Sequence, residues 1–282
     1  MPTYGGLLKQ WEKEALAEGK EPTAVKLLLL HFAPLSPAEL VAALDEEMPM
    51  RAKERFLHAV REYVHAHKPI QHITGYEDFF GRSFFVNPHV LIPRYETEEL
   101  AEHVIDYFDA WFAGMERVFL LDIGTGSGSL AITLALERNV HVSATDISSE
   151  ALAVARKNCE RFSSDVRFLQ GDLFEPVQNE RFHIIVSNPP YIPESETLPP
   201  DVDAHEPSLA LRGGEDGLLY FRKIIRQLPK HLRTPYLVAF EHSYEQASSI
   251  RRLLEDTLRD VSIIQKKDMQ GRDRLTFATD AM

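Results

Sequence analysis

The sequence predicts an α/β protein: an open, seven-stranded, mostly parallel Rossmann-like sheet, preceded by a small all-helical domain and a β-hairpin linker. Three observations predict it. Over residues 1–70, apolar positions recur at three- and four-residue spacing with almost no β-branched alternation, the pattern of amphipathic helices. Past residue 96, short aliphatic runs alternate with helical ones, the pattern of βαβ units whose sheet is covered on both faces. Between them, over residues 71–95, Gly75 and Gly81 punctuate short aromatic and aliphatic runs, which read as a hairpin.

In chain order, LLKQWEKEALAEG, PTAVKLLLLHFA, SPAELVAALDEEM and RAKERFLHAVREYVHAH each read as a helix. Ser36, Pro37 and Glu39 make a helix start, with a capping hydroxyl and a proline suited to the first turn. The linker hairpin is expected near 82–86 and 89–92. A helix from Glu96 then leads into a buried strand at 117–123, followed by helix 128–138, strand 140–145, helix 148–161 and strands 166–169 and 182–187. Strand 235–240, helix 243–256 and late strands near 259–264 and 274–278 complete a domain over 96–282. Ligands of such sheets bind at the carboxyl ends of the strands.

Composition narrows the function classes. The chain carries 31 Lys and Arg against 43 Asp and Glu, a formal net charge of -12, which argues against a protein that lives on a nucleic acid backbone. Residues 1–75 are close to neutral, so the excess acid lies beyond them. The single cysteine, Cys159, excludes an intramolecular disulfide framework and a Cys-rich zinc site, and it suits a reducing compartment. The amino-terminal stretch is charged, without a signal-peptide apolar core. The longest apolar run, AVKLLLLHFAPL, carries Lys26 and His31 and is too short to span a bilayer. A cytoplasmic protein with no membrane partner is expected. His72, His141, His183 and His205 lack paired ligand spacing, so no metal is expected.

The first half of a site is legible in LLDIGTGSGSLAI, where Gly124, Thr125, Gly126, Ser127 and Gly128 join a buried strand to a helix. Glycines there allow a tight turn and a close approach of ligand to backbone. The position that would complete a dinucleotide fingerprint is Ser129, and a lone glycine loop is weak evidence. The next strand ends in Asp146, about 20 residues on, where a carboxylate can accept from both hydroxyls of a ribose. As a bland alternative, Asp146 caps the following helix. The third strand ends in GDLF, where Asp172 and Leu173 can border a base ring. Together these describe a nucleoside site, and the absence of a lysine after the glycines speaks against triphosphate chemistry.

The second half is SNPPY, residues 187–191, at the end of strand FHIIVS. Pro189 and Pro190 hold the backbone extended and bring no N–H of their own. A fixed backbone carbonyl of this loop and the Asn188 side-chain oxygen form a pair of acceptors suited to a planar NH2 group. In methyl transfer to such a nitrogen, positive charge builds up on it, and fixed acceptors bind its hydrogens more strongly as it does so. Tyr191 can stack on the planar group. Carbon methylation of a pyrimidine would instead want a cysteine nucleophile here, and Cys159 falls in a helical stretch.

From PIQHITG through GYEDFFGRSFFV, IPRYETEEL, LLDIGTGSG, ATDIS, SNPPYIP and EPSLALRGGEDGL, the sequence resembles the HemK/PrmC family. These are S-adenosylmethionine-dependent methyltransferases that modify the glutamine of a Gly-Gly-Gln loop in peptide chain release factors. The resemblance implies a class I methyltransferase sheet and an amino-terminal helical domain over residues 1–70 that helps engage the release factor. It also implies S-adenosyl-L-methionine bound by Gly124 to Gly128, Asp146, Leu173 and Asn188. Asn188, Pro189, Pro190 and Tyr191 would hold the glutamine, with Asn188, Pro189 and Tyr191 catalytic. Two departures stand out: Tyr95 replaces a family proline, and Glu241-His242-Ser243 stands where the family has Glu-Ile-Gly.

The NPPY device also suits adenine N6, so an adenine-specific DNA methyltransferase competes with the protein methyltransferases. Residues 192–217 carry seven acids and one Arg, which would repel a phosphate backbone near the site and favour a protein substrate. Alternatives are glutamine methylation of a ribosomal protein, a nicotinamide dehydrogenase on the same kind of sheet, and a non-catalytic nucleoside-binding module. A monomer without direct nucleic acid contact is expected.

Overall fold

The computed structural model describes residues 2–33 and 35–281. They form two compact units, Met1–Tyr76 with Leu198–His205, and Glu77–Thr197 with Glu206–Met282.

The first unit holds α1 (Tyr4–Ala17), α2 (Pro22–Phe32), α3 (Pro37–Ala42), α4 (Met50–His65) and α5 (Ile70–Thr74). Leu7 and Trp11 of α1, Leu28 and Leu29 of α2, Leu40 of α3 and Phe56 and Val60 of α4 share one cluster. The start of α3 is a capping box: the Glu39 N–H donates to Ser36 Oγ and the Ser36 N–H to the Glu39 carboxylate. That helix ends at Ala42, well short of the stretch to Met48 read from periodicity. The carbonyls of Leu44 and Glu46 instead accept from the N–H groups of Gly5 and Tyr4, at 2.8 and 3.0 Å, which consumes the acceptors another turn would need. The turn α5 falls in the stretch read as linker and closes on Gly75, whose φ is 81°.

The second unit begins at Glu77, within β1 (Tyr76–Phe79), which is followed by β2 (Arg82–Phe85); this corrects the expected hairpin. Its turn is Phe80-Gly81, both at positive φ (51° and 70°), as a two-residue hairpin turn demands. Residues 89–92 are not a strand. Val90 and Ile92 alternate inward and are buried, but the Ile92 N–H donates to the Glu206 carboxylate at 3.0 Å rather than to a ladder.

There follow α6 (Tyr95–Trp111), β3 (Phe119–Ile123), α7 (Ser129–Glu137), β4 (His141–Asp146), α8 (Ser149–Phe162), β5 (Val166–Gln170) and β6 (Phe182–Ser187). Residues 198–205, with the turn α9 (Pro200–Asp203), belong to the first unit. There Lys20 pairs with Asp201 at 3.7 Å and His205 Nε2 lies 2.9 Å from the Ala66 carbonyl. The second unit resumes with α10 (Ser208–Leu211), α11 (Leu219–His231), β7 (Leu232–Glu241), α12 (Ala247–Thr257), β8 (Ser262–Lys267) and β9 (Asp273–Thr279). The helix α11 has no counterpart among the expected elements, although Phe221, Ile224, Ile225 and Leu228 carry its period and are buried.

The seven-stranded sheet runs β5-β4-β3-β6-β7-β9-β8, with β9 antiparallel to both its neighbours and the other pairs parallel. Its residues alternate between two cores. Leu120, Ile184, Val186, Leu237 and Phe277 face the cluster that includes Leu100 and Val104 of α6. Leu121, Ile185, Val238 and Phe240 face Ile224 of α11 and Ile250 of α12. Chain order reverses between β3 and β6, which opens a crevice at their carboxyl ends.

Candidate active site

Strand register brings the two sequence motifs together. Asp122 of β3 pairs with Val186 of β6, so the glycine loop leaves the sheet beside Asn188. The Ser187 hydroxyl donates to the Ile123 carbonyl at 2.7 Å and ties the two strand ends. On the other side Ile123 pairs with Thr145, which sets Asp146 beside Gly124.

These strand ends enclose a cavity of about 260 Å³. Gly124, Gly126, Asp146, Asp172, Leu173, Asn188, Pro189 and Pro190 line it. Thr125, Ser127, Gly128 and Tyr191 do not; they sit behind the lining and support it. The Thr125 hydroxyl donates to buried Asp122 at 2.6 Å, and the Ser127 carbonyl accepts from Asn158 Nδ2 at 2.9 Å. Gly128 lies at the N-cap of α7 against Ala155. The Tyr191 ring packs on the core of the α11 face, and its hydroxyl donates to the Glu241 carboxylate at 3.4 Å. Gly217 backs this loop at φ 73°, and a Cβ there would lie 2.2 Å from the Tyr191 carbonyl oxygen.

The geometry suits a nucleoside. Gly124 and Gly126 hold positive φ, at 74° and 54°, and a Cβ on either would meet no protein atom within 4 Å, so their backbone faces open space. Asp146 Oδ2 accepts from the Gly126 N–H at 2.8 Å and Oδ1 from the Ser148 N–H at 2.9 Å. Each oxygen keeps a lone pair for a ligand hydroxyl. Burial pushes the Asp146 carboxyl above its ordinary range, against the pull of the backbone N–H groups of Ser148, Gly126 and Ile147. The helix after Asp146 is capped by Ser148, whose hydroxyl accepts from Ala151, so Asp146 is not needed as its N-cap. Leu173 holds a left-handed φ of 53°, and Asp172 pairs with Lys223 at 3.7 Å.

Sequence reasoning missed part of this site. His89, Val90, Leu91, Ile147, Ala151, Pro207, Leu209, Ala210, Tyr220 and Lys223 also line the cavity. Asp122, an acid inside an aliphatic strand, carried a usable signal, since buried carboxylates are rare. Thr97 and Glu241 carried none, since their importance lies in contacts with residues far along the chain. Tyr95 is the first residue of α6 and is exposed, outside the lining. The other departure, Glu241-His242-Ser243, forms a turn whose Gln246 Nε2 donates to the Tyr191 carbonyl at 2.9 Å. Among the described residues, no cluster of His, Cys, Asp or Glu is arranged to hold a metal, and no helix is long and apolar enough to cross a membrane.

Buried acids give the domain a pH signature. Burial pushes Asp122 up to about 7, with the Thr125 bond opposing and the Asp146 charge adding. A carboxyl raised on folding contributes stability that is complete below its unfolded pKa near 4 and is lost as pH rises through the folded value. Between pH 4 and 7 this group therefore costs up to about 1.4 kcal/mol for each pH unit. Asp122→Asn is expected to flatten the fall in melting temperature between pH 4 and 7; an unchanged slope refutes the buried titration.

The comparisons agree with this architecture. The family model described as PrmC N-terminal domain matches residues 7–75, and Methyltransferase small domain matches residues 111–200. The release factor glutamine methyltransferase of Bacillus cereus is 40% identical over 278 residues, covering 95% of this chain and 96% of that protein. That of Bacillus subtilis is 40% identical over 278 residues, covering 95% of each. Among solved structures, a methyltransferase from Pyrococcus furiosus aligns with a TM-score of 0.53 at 20% identity, over 82% of this chain and 98% of its own. The Thermus thermophilus 16S rRNA N2 G1207 methyltransferase, solved with AdoMet and guanosine, aligns with a TM-score of 0.53 at 19% identity, over 72% and 49%. Both share the fold.

Proposed function

Because this chain belongs to the release factor glutamine methyltransferase family, we propose that it methylates the side-chain amide nitrogen of the glutamine in the Gly-Gly-Gln motif of peptide chain release factors. The methyl donor is S-adenosyl-L-methionine. The observation that carries this reading is one cavity lined by both Gly124, Gly126 and Asp146 and by Asn188, Pro189 and Pro190. Bound there, S-adenosyl-L-methionine supplies an electrophilic methyl group.

The residues divide the work. Asp146 accepts from the ribose hydroxyls, held in place by the Gly126 and Ser148 N–H groups. The open backbone of Gly124 and Gly126 admits the donor's amino acid end, and Asp172 and Leu173 border its base. Asn188 Oδ1 and the Pro189 carbonyl accept the two hydrogens of the glutamine NH2 and fix its nitrogen in place. Both acceptors gain strength as positive charge develops on that nitrogen. Pro190 stiffens the loop, and Tyr191 braces it from behind rather than stacking on the amide. No strong base is needed, because the proton becomes acidic only after transfer.

Residues 1–70 act as the substrate-recognition domain, 71–95 as the linker and 96–282 as the methyltransferase domain. The enzyme works in the cytoplasm as a monomer, without direct nucleic acid contact. The acidic residues after the NPPY loop favour a protein over a phosphate backbone.

The test is a competition. The protein is incubated with labelled S-adenosyl-L-methionine, a release factor, a ribosomal protein fraction and duplex DNA, and the labelled product is identified. Label on the release factor glutamine is expected. Label on a ribosomal protein or on adenine instead would transfer the reading to those substrates.

A further inference from the structure

We propose that Thr97, held by Glu241, is a positioning residue that sets which end of the Asn188 amide faces the substrate. The proposal rests on the reading of Asn188 as acceptor for the glutamine NH2. An asparagine side chain presents an acceptor at one end and two donors at the other, and only the acceptor end serves a substrate NH2. Something must choose the end.

Three segments converge to make that choice. Ser187 pairs with Phe240 across β6 and β7, so Asn188 and Glu241 follow side by side at the ends of neighbouring strands. Thr97, in the first turn of α6, lies between them. The Thr97 hydroxyl has one hydrogen and donates it to Glu241 Oε2 at 2.6 Å. Its lone pairs are left to face Asn188, and Asn188 Nδ2 donates to Thr97 Oγ1 at 3.1 Å. The amide oxygen is thereby turned away from Thr97. A flipped amide would set Oδ1 against those lone pairs and point an NH2 at the substrate's NH2, losing both bonds.

Glu241 fixes the direction in its ionised form. It is buried, 1% exposed, and Thr97 is 6% exposed, so water does not compete for the relay. Its other oxygen accepts from the Tyr191 hydroxyl, which leaves Oε2 for Thr97 and holds the carboxylate from the NPPY loop itself. The arrangement extends the acceptor pair of the loop into a directional chain from carboxylate to hydroxyl to amide. It accounts for a carboxylate at a strand end where apolar burial alone would favour an aliphatic residue.

The experiment compares Thr97→Val and Thr97→Ser with wild type on a release factor, reading kcat, KM and the cofactor dissociation constant. Valine keeps the shape and removes the hydroxyl. Its kcat is expected to fall about 10- to 100-fold, the size of a lost alignment, with KM and cofactor affinity within about threefold of wild type, as expected for a loss confined to the reacting amide. Serine restores the relay and returns kcat to within about threefold of wild type, as keeping the hydroxyl predicts. A valine variant as fast as wild type overturns the proposal. Should the valine variant fail to fold by circular dichroism, Thr97→Ala and Thr97→Ser decide, since both lack the methyl and only serine keeps the hydroxyl. Serine faster than alanine supports the relay, and equal rates overturn it. A wild-type protein that transfers no methyl to glutamine overturns the reading of Asn188 itself, and the relay with it.

Discussion

Asn188→Ala is expected to lower kcat for glutamine methylation by about 10²–10³-fold, the usual cost of removing one preorganised partner of developing charge. Cofactor affinity should stay within a few fold. The variant removes Oδ1 and also the Nδ2 bond to Thr97, while the Ser187 hydroxyl still ties β6 to β3 through the Ile123 carbonyl. The glycine loop and Asp146 stand on other strands and keep their geometry. Single-turnover methylation of a release factor measures the chemical step, and calorimetry with S-adenosyl-L-methionine measures binding. Normal turnover by the variant would remove Asn188 from the chemistry. A loss of binding equal to the loss of rate would recast it as a cofactor residue alone.

Asp146→Ala should show the opposite division. Hydrogen bonds to a charged group contribute about 1.5–3 kcal/mol each, so losing the acceptor of both ribose hydroxyls is expected to raise the cofactor dissociation constant by at least about 100-fold. At saturating cofactor kcat should recover most of its value, because the Asn188 clamp is untouched. The variant also frees the Gly126 and Ser148 N–H groups. Asp146→Asn, which keeps one acceptor oxygen for them, should therefore lose less affinity than alanine. Calorimetric titration reads both, and an unchanged dissociation constant for the alanine variant would refute the ribose assignment.

Much of this was legible because it is local. The helix–strand alternation beyond residue 96 follows from apolar periodicity, and the glycine loop and SNPPY each carry their geometry in a few consecutive residues. The hairpin went astray for an equally local reason. Val90 and Ile92 alternate as in a strand, but the partner of the Ile92 N–H is a glutamate 114 residues away. Periodicity records which side chains are buried and is blind to where the backbone hydrogen bonds go. The helix α3 stopped early for the same reason, its next carbonyls being taken by the start of α1.

The sequence by itself determined the βα texture, the nucleoside loop and the rigid Asn-Pro-Pro-Tyr segment, because periodicity, glycine freedom and proline restraint act within a few residues. Tertiary structure alone decided which strand ends adjoin, which faces line the cavity, and that Tyr191 braces the loop from behind. It also decided the direction of the Asn188 amide, set by Thr97 at 91 residues' separation and by Glu241 at 144 from Thr97. A hydrogen bond's direction depends on the partner that holds the next proton, and folding alone brings that partner within reach.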